Sequence, residues 1–519
     1  MKRYPLHIAA LVGGLLLTTG CEKDLLDQTN PNETVTELFW RNDNDAVKGI
    51  NAAYSGLQQL GTYRRWLNFA YDLRSDEGLS NSPWGELSNF TKFIITNYNF
   101  EVNQNIWRDH YRAIWRTNQV LANVPNIEMD ARLKRRVVAE AHFLRALFYF
   151  NLASLYGNVP LVLEPIDPPA LSGQATEAQV WEQVYTDLQE AIGSDSAPNL
   201  YDTYAGNDLG RATVGAARTL LAKAYMQNGR WADASAQFQK VIGSGKYSLT
   251  GAYTDNFRHT SENNSESIFE VQYSDAKLGG NDGDDATSSE GGQRSQFFGP
   301  LGVGYSDGEV RTWVVNEFLK EGTAAGTRDP RLAATVFYNR RQFATALPVD
   351  ADTLVYGRGY WSRYPDLANR QRVYWRKYQT DYYRNTENFD SPINFRVMRY
   401  ADVLLLQAEA LNEQSRTSDA IPLINQVRER AGLAPLVAGN FNRESLRTQL
   451  MHERITELTG EGLRWFDLQR WGLLKDQAGI SQLKSRDPDF NNFELNKSRL
   501  LPIPQQDIDL SKLQQNPGW

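Results

Sequence analysis

The sequence predicts a mainly α-helical protein in which tetratricopeptide-like helix pairs form the scaffold and a loop-rich lobe carries short β elements. Two observations lead to this expectation. Apolar residues recur at spacings of three and four through much of residues 107–242 and again through residues 400–430, the period of helices that bury one face. Between them, residues 251–395 are rich in turn-forming residues, with Gly-Gly, Asp-Gly and Ser-Ser pairs between Leu278 and Gly292, and such residues interrupt a helical period.

The elements follow in order. Over residues 41–60, Ala46, Ile50, Ala53, Tyr54 and Leu57 share a face. Residues 61–104 read as a long loop, because Gly61, Gly78, Pro83, Gly85 and several asparagines break the period. Trp107, Tyr111, Ile114, Trp115 and Val120 restore it over residues 107–124, and Pro125 ends it. The strongest helix is predicted over residues 132–156, where Val137, Ala141, Leu144, Phe148 and Leu152 face one way before Gly157. Further helices are predicted over residues 180–192, 213–227 and 231–242. The last two carry Ala216, Leu220, Ala224-Tyr225, Gly229, Trp231, Ala234 and Phe238. Small residues where antiparallel helices cross, and an aromatic after the turn glycine, are the pattern of a tetratricopeptide pair. A second pair spans residues 400–430, with Ala401, Leu404, Leu405, Ala408 and Leu411, then Ala420, Ile424 and Val427. The two pairs are too diverged and too far apart to predict a continuous solenoid; they predict a helical scaffold with insertions. Short strands are expected at residues 268–273 and 373–378. Long structured loops on a rigid scaffold usually carry function.

The start of the chain predicts export. Lys2 and Arg3 precede an apolar run from Ile8 to Leu17, and Thr18-Thr19-Gly20 leads into Cys21, the single cysteine in 519 residues. The run is too short to span a bilayer, and a lone cysteine makes no internal disulfide. The segment resembles a bacterial lipoprotein signal, which implies a signal peptide over residues 1–20 and acylation of Cys21. Two or more acyl chains hold a protein stably at a membrane, at about 0.8 kcal/mol per buried methylene. Residues 21–40 then form a tether, beginning with the polar and acidic Glu22-Lys23-Asp24. Net charge is −7, which gives no electrostatic case for nucleic acid. The 13 Trp and 25 Tyr are many for a chain of mean hydropathy −0.54, so some rings are expected near water as binding surfaces.

The sequence carries no catalytic, metal or cofactor motif: no His pair with a Glu at helical spacing, no Cys pair, no phosphate-binding glycine loop and no nucleophile elbow. Asn281-Asp282-Gly283-Asp284-Asp285 lacks the glycine and closing glutamate of a calcium loop. The densest charged run is residues 452–467. Glu453, Glu457 and Glu461 lie a turn apart there, with Arg454, Arg464 and Asp467 at helix-face distance. Catalytic carboxylates of a glycosidase flank a bond from two sides of a cleft, so the run reads as structural ion pairs along one helix.

Several segments together resemble the SusD-like (RagB/SusD) outer-membrane lipoproteins. They are Ala139-Glu140-Ala141-His142-Phe143-Leu144-Arg145-Ala146 with Leu155-Tyr156-Gly157-Asn158-Val159-Pro160; Arg399-Tyr400-Ala401-Asp402-Val403-Leu404; Glu461-Gly462-Leu463-Arg464-Trp465; and the ending Leu501-Pro502-Ile503-Pro504 to Asn516-Pro517-Gly518-Trp519. The resemblance runs from Cys21 to Trp519. It implies surface display on the outer membrane, export aided by acidic residues after Cys21, and no catalysis. It also implies capture of an oligosaccharide for a partner, a SusC-like TonB-dependent transporter. A 41–250 N-terminal helical region and a 251–519 C-terminal region, with a loop-rich insertion over 251–395, would form one intimately packed body. A lid for peptides, an anchored glycoside hydrolase and a purely structural surface protein are the competing classes. The family's ligand-binding residues lie in variable loops, so the candidates here rest on loop composition. They are Trp84 in Ser80-Asn81-Ser82-Pro83-Trp84-Gly85, with Asp76 close by as an acceptor, and Tyr360 and Trp361 in Gly357-Arg358-Gly359-Tyr360-Trp361, with Arg372. Glycine-framed rings in polar loops suit the flat faces of sugars. Changing Cys21 to Ala is expected to leave a folded protein that no longer fractionates with membranes; continued acylation and membrane retention of that variant would refute the anchor.

Overall fold

The structure, a computed structural model, describes residues 39–166, 173–276, 290–343 and 353–519. Cys21, most of the tether and the 281–285 acidic run lie outside the described residues. Long helices form where the period predicts them: α1 (Asp43–Tyr54), α2 (Glu101–Asn123), α3 (Ala131–Tyr156), α4 (Glu177–Ile192), α5 (Val214–Gln227), α6 (Trp231–Gly243), α7 (Tyr400–Glu413), α8 (Thr417–Arg430) and α9 (Arg443–Leu458). The starts of α1, α3, α4, α5 and α9 are capped by side chains that satisfy orphan amides. Asp130 accepts from the N–H groups of Arg132 and Leu133 before α3, and Thr176 with Gln179 makes a reciprocal capping box before α4. Gly157, at φ +67, ends α3.

The helices stack in sequence from α2 to α6, and α6 then packs directly on α7, which packs on α8 and α9. The array is therefore continuous in space, contrary to the expectation from sequence distance. The reason lies in two strands. β1 (Ser267–Val271) pairs antiparallel with β2 (Phe395–Arg399), and the Tyr400 N–H donates to the Glu266 carbonyl at 2.8 Å. The chain that leaves after α6 is thus returned to its own beginning. Ala216, Ala217, Ala224, Ala234, Ala401 and Ala408 are fully buried at these crossings, where short side chains let helix axes approach.

Residues 61–104 are more ordered than their composition suggests. Leu60–Arg64 and Phe69–Leu73 are π-helical turns around a single α turn, Trp66–Asn68, and Gly85–Thr91 is a short helix. Gly61 is not a loop breaker. A Cβ there would stand 1.9 Å from the Asn105 carbonyl oxygen, and its N–H donates to Asp109 at 2.9 Å; glycine is what allows this segment to lie on α2. Gly78–Leu79 also pairs antiparallel with Glu309–Val310. The strand expected at 373–378 shortens to Tyr374–Trp375, paired with Val336–Phe337. One apolar core extends from Ala46 to Leu513, and a smaller cluster of Val303, Phe337, Val355, Tyr356, Tyr360, Tyr364 and Tyr374 builds a lobe of the insertion.

The charged run at 452–467 is buried, and its partners are tertiary rather than neighbours on one helix. α9 ends at Leu458, so Glu461 and Arg464 lie beyond it. Arg399 binds Glu266 (2.7 Å), Glu457 (2.6 Å) and Glu461 (2.6 Å), while Arg331 and Lys377 reach Glu457 and Glu461 at 3.0 and 2.7 Å. Burial alone would raise the Glu457 carboxyl, but Arg430, Arg399 and Arg331 outweigh it and hold the group well below the usual carboxylate range. Removing one member of such a buried set leaves an uncompensated charge and costs about 3–5 kcal/mol. Arg145 is held similarly, by both Asp187 oxygens at 2.9 and 2.6 Å. Tyr149 packs fully buried, accepting the Val162 N–H at 2.7 Å. The motif around them is scaffold.

His452, on α9, faces Glu317 at 2.9 Å and Glu321 at 3.0 Å. Burial pushes the imidazolium down, but the two carboxylates prevail and raise its pKa to about 9. A raised folded-state pKa contributes stability that is complete below the unfolded value of about 6.5 and is lost as pH rises through the folded value. His452→Gln is therefore expected to lower the melting temperature clearly at pH 6 and little at pH 10. Equal losses at both pH values would refute this assignment.

Candidate functional site

Arg65, the Ser82-Pro83-Trp84 turn and Glu101 on one side and Phe297, Tyr305 and Asp307 on the other line a cleft of about 410 Å³. Phe297 forms its floor, with Trp66 packed behind it. Trp66 is fully buried, with Phe297 at 5.6 Å edge-to-face, and the Arg65 guanidinium lies over both rings at 4.7 and 4.4 Å. Arg65 is steered by Gln293, whose Oε1 accepts from Nε at 2.6 Å. Two rings stand at the rim. Trp84 meets Trp66 and Phe100 edge-on at 6.0 and 5.1 Å, and Tyr305 meets Phe297 at 5.4 Å and 90°. Among the described residues only three aromatic side chains are strongly exposed: Trp84 (36%), Tyr305 (48%) and Tyr383 (43%). Two of the three line this one cleft. Ser82, Glu101 and Asp307 add polar groups between them.

The backbone explains the placement. Ser82 Oγ accepts the Trp84 N–H at 3.1 Å, and Pro83 and Gly85 bracket the ring at the start of the Gly85–Thr91 helix. On the other rim Ser306 adopts φ +51, a left-handed conformation that a non-glycine residue rarely takes. The turn is tied down by the Tyr305 N–H to the Gln296 carbonyl and the Asp307 N–H to the Phe297 carbonyl, both 2.8 Å. Flat apolar rings with polar groups between them suit a ligand whose faces are apolar and whose edges carry hydroxyls. A larger recess of about 590 Å³ beside Lys246 has a single ring, Tyr247, and its Asp195 is already paired with Arg218 and Lys240.

Of the five sequence candidates, only Trp84 lines the cleft. Asp76 is fully buried. Arg464 takes both its oxygens at 2.6 and 2.8 Å, and Arg486 adds a third contact at 3.3 Å. Burial would raise the Asp76 carboxyl, but these arginines hold it below its ordinary value; it is a structural anchor, not an acceptor for a ligand. Tyr360 is likewise fully buried in the insertion's small core, its hydroxyl donating to the Arg372 carbonyl. Trp361 is half-buried, donates to Asn339 at 2.9 Å, and carries the guanidiniums of Arg370 and Arg341 at 4.0 and 4.5 Å. Its ring is engaged by cations, not open for stacking. Arg372 is committed to Glu309, and Glu309 also accepts from Asn81 at 3.2 Å. Sequence reasoning missed Arg65, Glu101, Phe297, Tyr305 and Asp307. Tyr305 was legible, since Gly304-Tyr305-Ser306-Asp307-Gly308 has the same glycine-framed, polar signature. Arg65 and Phe297, inside or beside helical turns, gave no such signal.

Helical-repeat scaffold and loop-built aromatic cleft together define a class of protein in which a rigid α body presents a loop-built aromatic surface. The comparisons narrow the class. The profile of the SusD family matches residues 265–519, and a second, described as starch-binding and associating with the outer membrane, matches residues 24–226. The chain belongs to the SusD-like family. SusD-like protein P2 of Formosa agariphila is 28% identical over 550 residues, covering 100% of both chains, and SusD-like protein P25 of the same organism is 26% identical, covering 95% of this chain and 94% of the relative. Among solved structures, a laminarin-binding SusD-like protein shares 27% identity with a TM-score of 0.74, over 92% of this chain and 100% of its own. A SusD superfamily protein from Bacteroides vulgatus has a TM-score of 0.76 at 24% identity, over 93% and 100%.

Tyr305→Ala and Trp84→Ala are each expected to weaken ligand binding by about 1–3 kcal/mol, the range for truncating a ring at an anchoring position. Tyr305→Ala should leave the melting temperature nearly unchanged. Trp84→Ala should lower it slightly, because contact with Trp66 and Phe100 is lost. Calorimetry with an oligosaccharide ligand decides; unchanged affinity in both variants would remove the cleft from the site.

Proposed function

We propose that this protein is a surface-displayed lipoprotein that captures oligosaccharides and delivers them to a SusC-like TonB-dependent transporter without altering them. The observation that carries this reading is the convergence of Trp84 and Tyr305 on one cleft over an aromatic floor. The relative that binds laminarin supports a glycan as ligand. Anchoring through Cys21 at the outer membrane, and residues 41–250 and 251–519 working as one body, belong to the same reading. No helix among the described residues is long and apolar enough to cross a membrane.

A hydrolase would draw on Glu101 and Asp307, the two carboxylates lining the cleft. Product analysis separates the two readings, since a capture protein returns its oligosaccharide at full length. The mature protein is expected to bind members of a glycan array and to co-purify from native membranes with a large β-barrel. Shortened products, or an array without binding, would overturn capture. A membrane pull-down lacking any barrel would overturn delivery.

A further inference from the structure

The insertion's lobe is strongly basic in an acidic protein. Residues 339–372 hold six arginines against three aspartates, in a chain of net charge −7. Arg372 pairs with Glu309. Among the described residues Arg341, Arg358, Arg363 and Arg370 form no ion pair. Arg358 and Arg363 donate to backbone carbonyls, and Arg370 gives its Nε–H to the Tyr364 carbonyl at 2.7 Å. Asp366, the acid nearest Arg370, is spent capping its own short helix at the Asn369 N–H. Arg341 and Arg370 both rest on the Trp361 ring. An aromatic face attracts and orients a guanidinium without neutralising it, and an oriented guanidinium with free N–H groups is matched to a planar or tetrahedral oxyanion.

The lobe borders the cleft. Arg372 Nη2 stands 3.4 Å from the hydroxyl of Ser306, between the cleft residues Tyr305 and Asp307. The Tyr364 hydroxyl donates to the Leu301 carbonyl on the same segment, at 3.1 Å. On this same lobe Arg341 and Arg370 present guanidiniums that rest on Trp361 and that no carboxylate among the described residues pairs.

We infer that the Trp361–Arg341–Arg370 cluster is an anion subsite that selects glycans bearing sulfate esters or uronate carboxylates. The inference rests on the cleft being a glycan site. Affinity electrophoresis of the chain carrying Cys21→Ala, through gels containing laminarin, polygalacturonate or κ-carrageenan, tests it. At least one acidic polymer should retard the protein more than neutral laminarin does, with retardation falling as NaCl rises. Arg341→Ala with Arg370→Ala should weaken that retardation roughly tenfold or more, the scale of one charge-assisted contact, while the melting temperature falls only slightly as the Arg370–Tyr364 hydrogen bond and the contacts on Trp361 are lost. Arg132→Ala with Arg135→Ala, removing exposed cations elsewhere, should change nothing. Polygalacturonate against κ-carrageenan tells carboxylate from sulfate. Equal retardation by acidic and neutral polymers, an inert Arg341/Arg370 double variant, or an equal loss in the Arg132/Arg135 control would overturn the subsite. If laminarin retardation then still depends on Trp84 and Tyr305, the glycan reading stands alone. If no polymer retards the protein, both readings fall.

Discussion

Arg399 is the point on which the rest of the structure depends. Its guanidinium joins Glu266 from the start of the insertion to Glu457 at the end of α9 and Glu461 in the turn beyond it, while Arg331 and Lys377 bring two further insertion segments to the same carboxylates. None of these charges has appreciable contact with water, so each is tolerable only because the others are present. Next to this node the chain turns through Gly460 and Gly462, at φ +79 and +72, and their N–H groups donate to Glu77 and Asp72. Arg294 closes on Asp72 and Arg464 on Asp76. The segment that leads to Trp84 and the segment that leads to Tyr305 are thus fixed to one ionic frame, which sets the width of the cleft between them.

That frame explains how so loop-rich a surface stays ordered. A cleft made by loops alone would lose much of its binding free energy to ordering them. Here each rim is fixed within about eight residues of an arginine–carboxylate contact, Trp84 by Asp76 with Arg464 and Tyr305 by Glu309 with Arg372. The π-helical turns at Leu60–Arg64 and Phe69–Leu73 have the same effect, carrying Trp66 and Arg65 on backbone that is hydrogen-bonded and buried.

The scaffold was legible in sequence because a helix writes its buried face at a fixed period. The alanines of α5, α6 and α7 did so even across a long insertion. What sequence could not give was partnership between distant residues. Asp76 looked available beside the Trp84 loop because Arg464, its partner, lies 388 positions away. The carboxylates at 453–461 read as ion-paired from their spacing, and they are, but their partners come from distant segments that spacing on one helix does not reveal. Gly61 reads as a turn residue in sequence because close approach to α2 leaves no trace in local composition. The proline and glycine beside Trp84 do mark an exposed ring at the cleft. Trp361 had the same framing, yet its ring faces two arginines, one of them some twenty positions upstream.

Because β1 and β2 lie side by side, the two ends of the insertion are about one strand spacing apart, ~5 Å. A segment whose ends meet behaves like a cartridge: it can be lengthened, shortened or exchanged without altering the path of α6 into α7. Yet it also carries Glu266, Arg331 and Lys377, three of the four counter-charges that surround Arg399, Glu457 and Glu461, the fourth being Arg430. A transplanted cartridge lacking those three would strand buried charge in its host. New ligand preferences can therefore be swapped in wholesale, but only by pieces that bring their own ionic key.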